Sequence, residues 1–152
     1  MTADLYNIGL TDQTNVDFSE VVIRGMRTKY EGLGARWEVM DVRDLKFEPH
    51  SFDIAIDKAT MDSMFYGSMW DPPDEVRHNI KTYLNEVERI LVPQGLFLYI
   101  TYRQPHFIRP LLARDTWDLK HEVIPDREGG VFEYFAYTEA EQGDLTGHKA
   151  VE

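Results

Sequence analysis

The sequence predicts an α/β protein built on a largely parallel sheet, and three observations predict it. Strand-like and helix-like patterns alternate along the chain. Three short apolar runs each stop at an acid: "QTNVD" at Asp17, "WEVMD" at Asp41 and "FDIAID" at Asp57. A long helical stripe (Val76, Ile80, Tyr83, Leu84, Val87, Ile90, Leu91) separates the last of these from the apolar run "GLFLYITY". A helix between two strands is the crossover that parallel pairing requires.

Taken in order, "MTADLYNIGL" reads as a helix closing near Gly9, and "QTNVDF" as a short strand. Ser19 is placed to cap the next helix, whose buried face is expected at Val22, Met26 and Tyr30 and whose stop is expected at Gly32 and Gly34. "RWEVMDV" alternates like a half-buried strand, and "FDIAID" has the branched, continuous character of a buried one. "SMFYGSMWDPPDE", residues 63–75, is a loop carrying Phe65, Tyr66 and Trp70. The main helix follows and is expected to end at Pro93 and Gly95. "HFIRPLLA" suits a short helix, and "WDLKHEVI" and "VFEYFAYT" suit two strands joined by the turn "PDREGG" as an antiparallel hairpin at one edge. The polar last dozen residues are expected to fray.

Composition narrows the function classes. The 152 residues suit one domain, with 43% hydrophobic and 28% charged residues. No run reaches the roughly 18 apolar residues of a membrane span, and no secretory signal pattern opens the chain. The absence of cysteine excludes disulfides, thiolate zinc sites and a cysteine nucleophile, and it fits a reducing, cytoplasmic setting. A formal charge of −11 without a Lys/Arg cluster disfavours nucleic acid. It suits a basic partner, or simply solubility. The five histidines (His50, His78, His106, His121, His148) show no metal-ligand spacing. Asp41 with Asp44 could meet a cation, but a solvated turn accounts for them as well.

Acids at strand ends have a chemical use. In an open parallel sheet, ligands bind beyond the carboxyl ends of the strands. A carboxylate there can accept from two ribose hydroxyls, and one on a neighbouring strand from an exocyclic amine such as that of adenine. Each acid also has a plain structural use. Asp17 could cap the following helix, Asp41 could close the "DVRDL" turn, and Asp57 could pair with Lys58 or Arg43.

Five ordered segments carry a resemblance: "NVDFSEVVI", "RWEVMDVRDLKF", "SFDIAIDKATMDSM", "EVERILVPQGLFLYIT" and "PHF". Over about residues 3–107 they resemble class I S-adenosylmethionine-dependent methyltransferases. They are most similar to the methyltransferase-like branch that includes lysine methyltransferases of translation elongation factor 1-alpha. The resemblance implies a Rossmann-like sheet with a C-terminal antiparallel hairpin, S-adenosylmethionine as cofactor, and methyl transfer to a protein lysine. It implies that Asp17 holds the ribose with Phe18 against the adenine, and that Asp41 accepts from the adenine amine with Val42 on the ring. Asp57 and Lys58 would lie near the methyl donor, with Asp57 and Asp62 orienting the acceptor amine. Tyr66, Trp70, Tyr102 and His106 would wall the acceptor pocket. The family usually has glycine where this chain has Ala59.

One departure is large. The family opens with a strand and a glycine-rich turn that should precede "MTADLY", and no such turn occurs before Asp17. "GLGAR" contains the spacing but follows a helix and precedes a strand. The usual first strand, normally central between those ending at Asp17 and Asp57, is therefore expected to be missing from a single, N-terminally truncated domain over residues 1–152. Loss of a central strand leaves backbone edges unpaired, which a homodimer could cover. A truncated piece, a natural short form and a member that has lost its cofactor all fit. The function alternatives are accordingly a non-catalytic methyltransferase-like binding module and a small-molecule methyltransferase. A flavodoxin-like or nicotinamide-binding domain fits less well, for want of the glycine fingerprint.

Overall fold

Each strand of the N-terminal part feeds a turn closed by an acid at its end or just beyond it, Asp17 or Asp41. A computed structural model of the chain describes residues 1–124 and 133–141. The expected "PDREGG" turn and nearly all of the last dozen residues lie outside these. Two compact units are distinguished, Met1–Lys46 and Phe47–Glu152.

In the first unit, helix α1 (Thr2–Asn7) ends ahead of Gly9, whose φ of 101° lies in the region that favours glycine. Strand β1 (Thr14–Asp17) leads to helix α2 (Glu20–Lys29), where the Ser19 side chain accepts from the backbone N–H of Val22. Strand β2 (Arg36–Val39) pairs parallel with β1, Asp17 opposite Val39. The buried position of α2 is Ile23, and Val22 is 45% exposed. The stripe thus runs through Ile23, Met26 and Tyr30, one residue round from the face expected, and Tyr30 stacks on Trp37 at 5.8 Å. Nor do the glycines stop α2. It ends at Lys29, a 3₁₀ turn (Glu31–Leu33) follows, and Gly34 closes that turn with a left-handed φ of 68°.

In the second unit the elements are β3 (Phe52–Lys58), a 3₁₀ turn (Met61–Met64), α3 (Asp74–Ile90), β4 (Leu91–Thr101), α4 (Pro105–Leu112), β5 (Trp117–Ile124) and β6 (Tyr134–Glu141). The sheet order is β3-β4-β6-β5, with β3 and β4 parallel and β6 antiparallel to both its neighbours. Helix α3 buries Val76, Ile80, Tyr83, Leu84, Val87 and Ile90. At roughly 1.5–3 kcal/mol for each buried aliphatic side chain, this face outweighs any surface ion pair of the unit. Among the described residues β1 pairs only with β2, and β3 only with β4.

The helix stops before its expected breakers. It ends at Ile90, and Pro93 and Gly95 lie inside β4. Leu91 pairs with Phe52 and Leu96 with Ile54, so the residues between bulge out of register, with Gln94 at φ 66°. A proline is tolerated in such a bulge because no ladder bond is lost there. Gly95 is required by close approach: a Cβ would stand 2.8 Å from the Val92 carbonyl oxygen and 3.2 Å from that of Asp53.

Candidate active site

The first unit presents two acids at one end of its sheet. Asp17 is the last residue of β1, and its Oδ1 accepts from the Ser19 N–H at 2.8 Å. No described residue donates to its Oδ2. Asp41 follows β2 by two residues, and the Met40 N–H donates to the Asp17 carbonyl at 3.1 Å, tying the two strand exits together. Asp41 Oδ1 accepts the Arg43 backbone N–H at 2.9 Å, and its Oδ2 accepts the Arg43 guanidinium at 2.6 Å. The Arg43 hydrogen bond holds the Asp41 carboxyl below the usual carboxylate range, opposed in part by burial. Phe18 is 80% exposed, and Val42 is partly exposed.

The second unit buries its strand-end acid. Asp57 is 2% exposed. Its Oδ1 accepts from the Thr60 N–H at 2.7 Å, and its Oδ2 from the Met61 N–H at 2.9 Å and the Tyr83 hydroxyl at 3.0 Å. Burial pushes its pKa up, those hydrogen bonds pull it down, and the charge of Asp62 adds to the rise. Ala59 within this turn has φ 68°, a left-handed conformation costing an alanine about 1 kcal/mol that a glycine would not pay. A glycine at this position would relieve that strain. Lys58 is exposed.

Asp62 is buried in a network the sequence did not reveal. Its Oδ1 accepts from Tyr99 Oη, Thr101 Oγ1 and Arg103 Nε, each at 2.8 Å. Its Oδ2 is buried without a partner. Burial and the neighbouring acids push the Tyr99 hydroxyl far up. "GLFLYITY" signalled a buried strand, and nothing in the apolar run marked Tyr99 and Thr101 as donors to an acid 37 and 39 residues earlier.

The aromatic residues stand outside. Trp70 is 81% exposed, with His106 at 5.5 Å and the edge of Phe107 at 4.9 Å between ring centroids. The structure thus brings Trp70 and His106 together and adds Phe107. Tyr66 and Tyr102 are each 51% exposed, and the Tyr66 hydroxyl donates to Glu75 at 2.6 Å. His50 faces the Leu91 carbonyl at 2.8 Å and His121 faces Arg109 at 3.1 Å. His148 lies outside the described residues. Among the described residues no group of three His, Asp or Glu is arranged for a metal, and no helix is long and apolar enough to cross a membrane.

Parallel strands with crossover helices, a C-terminal antiparallel strand pair and acids at the strand ends define a Rossmann-like α/β protein. Residues 1–99 match the family described as methyltransferase domain, and the chain belongs to that family, the class I methyltransferases. It is 36% identical over 142 residues to EEF1A lysine methyltransferase 4 of Bos taurus, covering 90% of this chain and 54% of that protein. To the eEF1A lysine and N-terminal methyltransferase of Homo sapiens it is 26% identical over 138 residues, covering 88% of this chain and 19% of that protein. The chain spans about half the length of the EEF1A lysine methyltransferase 4 proteins of cattle and mouse. Among solved structures it resembles a SAM-dependent methyltransferase of Methanosarcina mazei with TM-score 0.69 at 18% identity, covering 93% of this chain and 86% of the other. The N-methyltransferase NodS of Bradyrhizobium japonicum, solved in complex with S-adenosyl-L-homocysteine, gives TM-score 0.62 at 12% identity, covering 93% and 74%.

Proposed function

We propose that the chain takes part in S-adenosylmethionine-dependent methyl transfer to a lysine of elongation factor 1A, a basic protein segment being the acceptor. The observation that carries the reading is the pair Asp17 and Asp41 at one end of a parallel β1–β2 ladder, with Asp17 Oδ2 unclaimed by any described donor. An unclaimed carboxylate oxygen suits a ribose hydroxyl. Asp41, whose two oxygens both receive Arg43 donors, would take an amine by sharing or releasing one of them. Phe18 and Val42 would pack on the adenine, and Lys58 would lie near the donor. The relatives named as EEF1A lysine methyltransferases support the acceptor class.

The bound cofactor supplies an activated methyl group. The chain's own residues orient and exclude water. Tyr66, Trp70, Tyr102 and His106 would line the acceptor's approach, where an apolar wall lowers a lysine's pKa towards the neutral, attacking form. Asp57 and Asp62 already receive three donors each from the protein. In this reading they act on the amine by fixing the turn and strand end around it. A cytoplasmic setting and self-pairing of the open β1 or β3 edge into a homodimer belong to the same reading.

The test is calorimetric titration with S-adenosylmethionine and S-adenosylhomocysteine, on the parent chain, Asp17→Ala and Asp41→Ala. Loss of a hydrogen bond to a charged acceptor is worth about 1.5–3 kcal/mol, so each substitution should weaken binding roughly 10- to 100-fold. No binding to the folded parent at millimolar ligand would overturn the enzyme reading in favour of a non-catalytic binding module. Cofactor binding with turnover of a small amine but not of elongation factor 1A would point to a small-molecule acceptor.

A further inference from the structure

Arg103 follows β4 and makes more contacts with sequence-distant residues than a surface arginine needs. Its backbone N–H donates to Thr101 Oγ1 at 3.0 Å, which fixes the strand exit. From there its guanidinium reaches three parts of the 3₁₀ turn and the loop after it. Nε donates to Asp62 Oδ1 at 2.8 Å and Nη2 to the Asp62 carbonyl at 3.1 Å. Nη1 lies 3.1 Å from the sulfur of Met69. The guanidinium carbon sits 4.5 Å from the centre of the Phe65 ring and 5.4 Å from that of Tyr102. The Arg103 side chain is 17% exposed and that of Asp62 is 5% exposed. The ion pair is therefore shielded, and its geometry is constrained by a planar fork with several partners.

Phe65 directly precedes Tyr66, and Met69 directly precedes Trp70. Tyr66 and Trp70 are the exposed aromatics of the segment, and besides Arg103 the rings of His106 and Phe107 against Trp70 hold it. Its own bonds are few: the Phe65 N–H to Asp62, the Asp71 N–H to Ser68 Oγ, and Tyr66 to Glu75. We propose that Arg103 is a positioning residue, which latches the loop of residues 65–70 to the end of β4 and so sets where Tyr66 and Trp70 meet the acceptor. The last clause rests on the acceptor reading above. The latch itself does not.

The test uses the full chain labelled with 5-fluorotryptophan, which gives three fluorine signals, from Trp37, Trp70 and Trp117. Trp37 and Trp117 are 7% and 5% exposed and serve as internal controls. In Arg103→Lys and Arg103→Met the Trp70 signal should sharpen and move towards that of free 5-fluorotryptophan, with the other two unchanged. Lysine keeps the charge but not the planar fork, so it should not rescue. An unmoved Trp70 signal in both variants overturns the latch. Movement of all three signals also overturns it, since Arg103 would then be a general stability residue. With the parent active on elongation factor 1A, the acceptor KM should rise about tenfold and the cofactor KM stay within twofold. An unchanged acceptor KM overturns the positioning role. If the parent is inactive, the proposed function fails while the fluorine signals still decide the latch.

Discussion

Replacing Asp57 by asparagine keeps the shape of the side chain and removes one acceptor, so it isolates what the buried carboxylate does. The native group receives three donors: Thr60 N–H on Oδ1, and Met61 N–H and Tyr83 O–H on Oδ2. An amide can keep its oxygen where two donors converge, at the Oδ2 position. Its NH2 then faces the Thr60 N–H, losing the 2.7 Å bond and setting donor against donor. A hydrogen bond to a charged group is worth about 1.5–3 kcal/mol, so the variant should lose about 2 kcal/mol. For a chain of this size that is a fall in melting temperature of about 4–8 °C. The pH dependence sharpens the test. The folded pKa of Asp57 is raised above its ordinary value, mainly by burial. The folded state then holds its proton more tightly than the unfolded state, so this group's contribution to stability is greatest at low pH. It declines as pH rises through the folded pKa. Asparagine has no such term, so the gap between parent and variant should be wider at pH 4 than at pH 7. Asp41, whose pKa moves the other way, is present in both proteins and cancels. Thermal melts read the first quantity, and urea denaturation at the two pH values reads the second. A variant within 1 °C of the parent, or a gap that widens with pH, would refute the assignment of Asp57 as a buried acceptor of turn donors.

Two further outcomes follow from the backbone. Gly95→Ala places a Cβ 2.8 Å from one carbonyl oxygen and 3.2 Å from another, both main chain, so it should cost about 1–3 kcal/mol in a denaturant titration. A change below about 0.3 kcal/mol would mean that the β4 bulge relaxes freely. Because β1 and β3 each keep an edge unpaired among the described residues, light scattering at micromolar concentration should return a dimer's mass. A monomer's mass would count against edge-to-edge association.

How far the fold could be read from the chain depended on the kind of signal. Helix α3 was legible because its six buried side chains recur at helical spacing, and the strands because their apolar runs end at turn residues. Boundaries failed where a breaker served another element. Pro93 and Gly95 read as a helix stop, but they shape a bulge already inside β4. The Val22 face failed because helix α2 is mostly exposed and Ile23, its buried residue, was passed over for a spacing of four. The three strand-end acids could be picked out because each ends an apolar run. Arg103, Tyr99, Thr101 and Tyr83 could not, because their role arises from pairings across 26 to 41 residues that no local pattern encodes.

Those acids also show why a structural and a ligand-binding reading of one residue need not compete. Each accepts a backbone N–H from the turn that follows its strand: Ser19 on Asp17, Arg43 on Asp41, Thr60 and Met61 on Asp57. Turn closure is thus common to all three and cannot distinguish them. The surroundings of the second oxygen can. Tyr83 and Met61 claim it in Asp57 and Arg43 in Asp41, and no described residue claims it in Asp17. A carboxylate whose two oxygens both serve the fold can reach a ligand only by sharing or releasing a donor. One that closes its turn with a single oxygen holds the other ready. On this argument Asp17 should be the more sensitive nucleoside contact, and Asp41→Ala the milder of the two substitutions in the cofactor titration. The reverse order would mean that Arg43, freed of its partner or not, decides access to that end of the sheet.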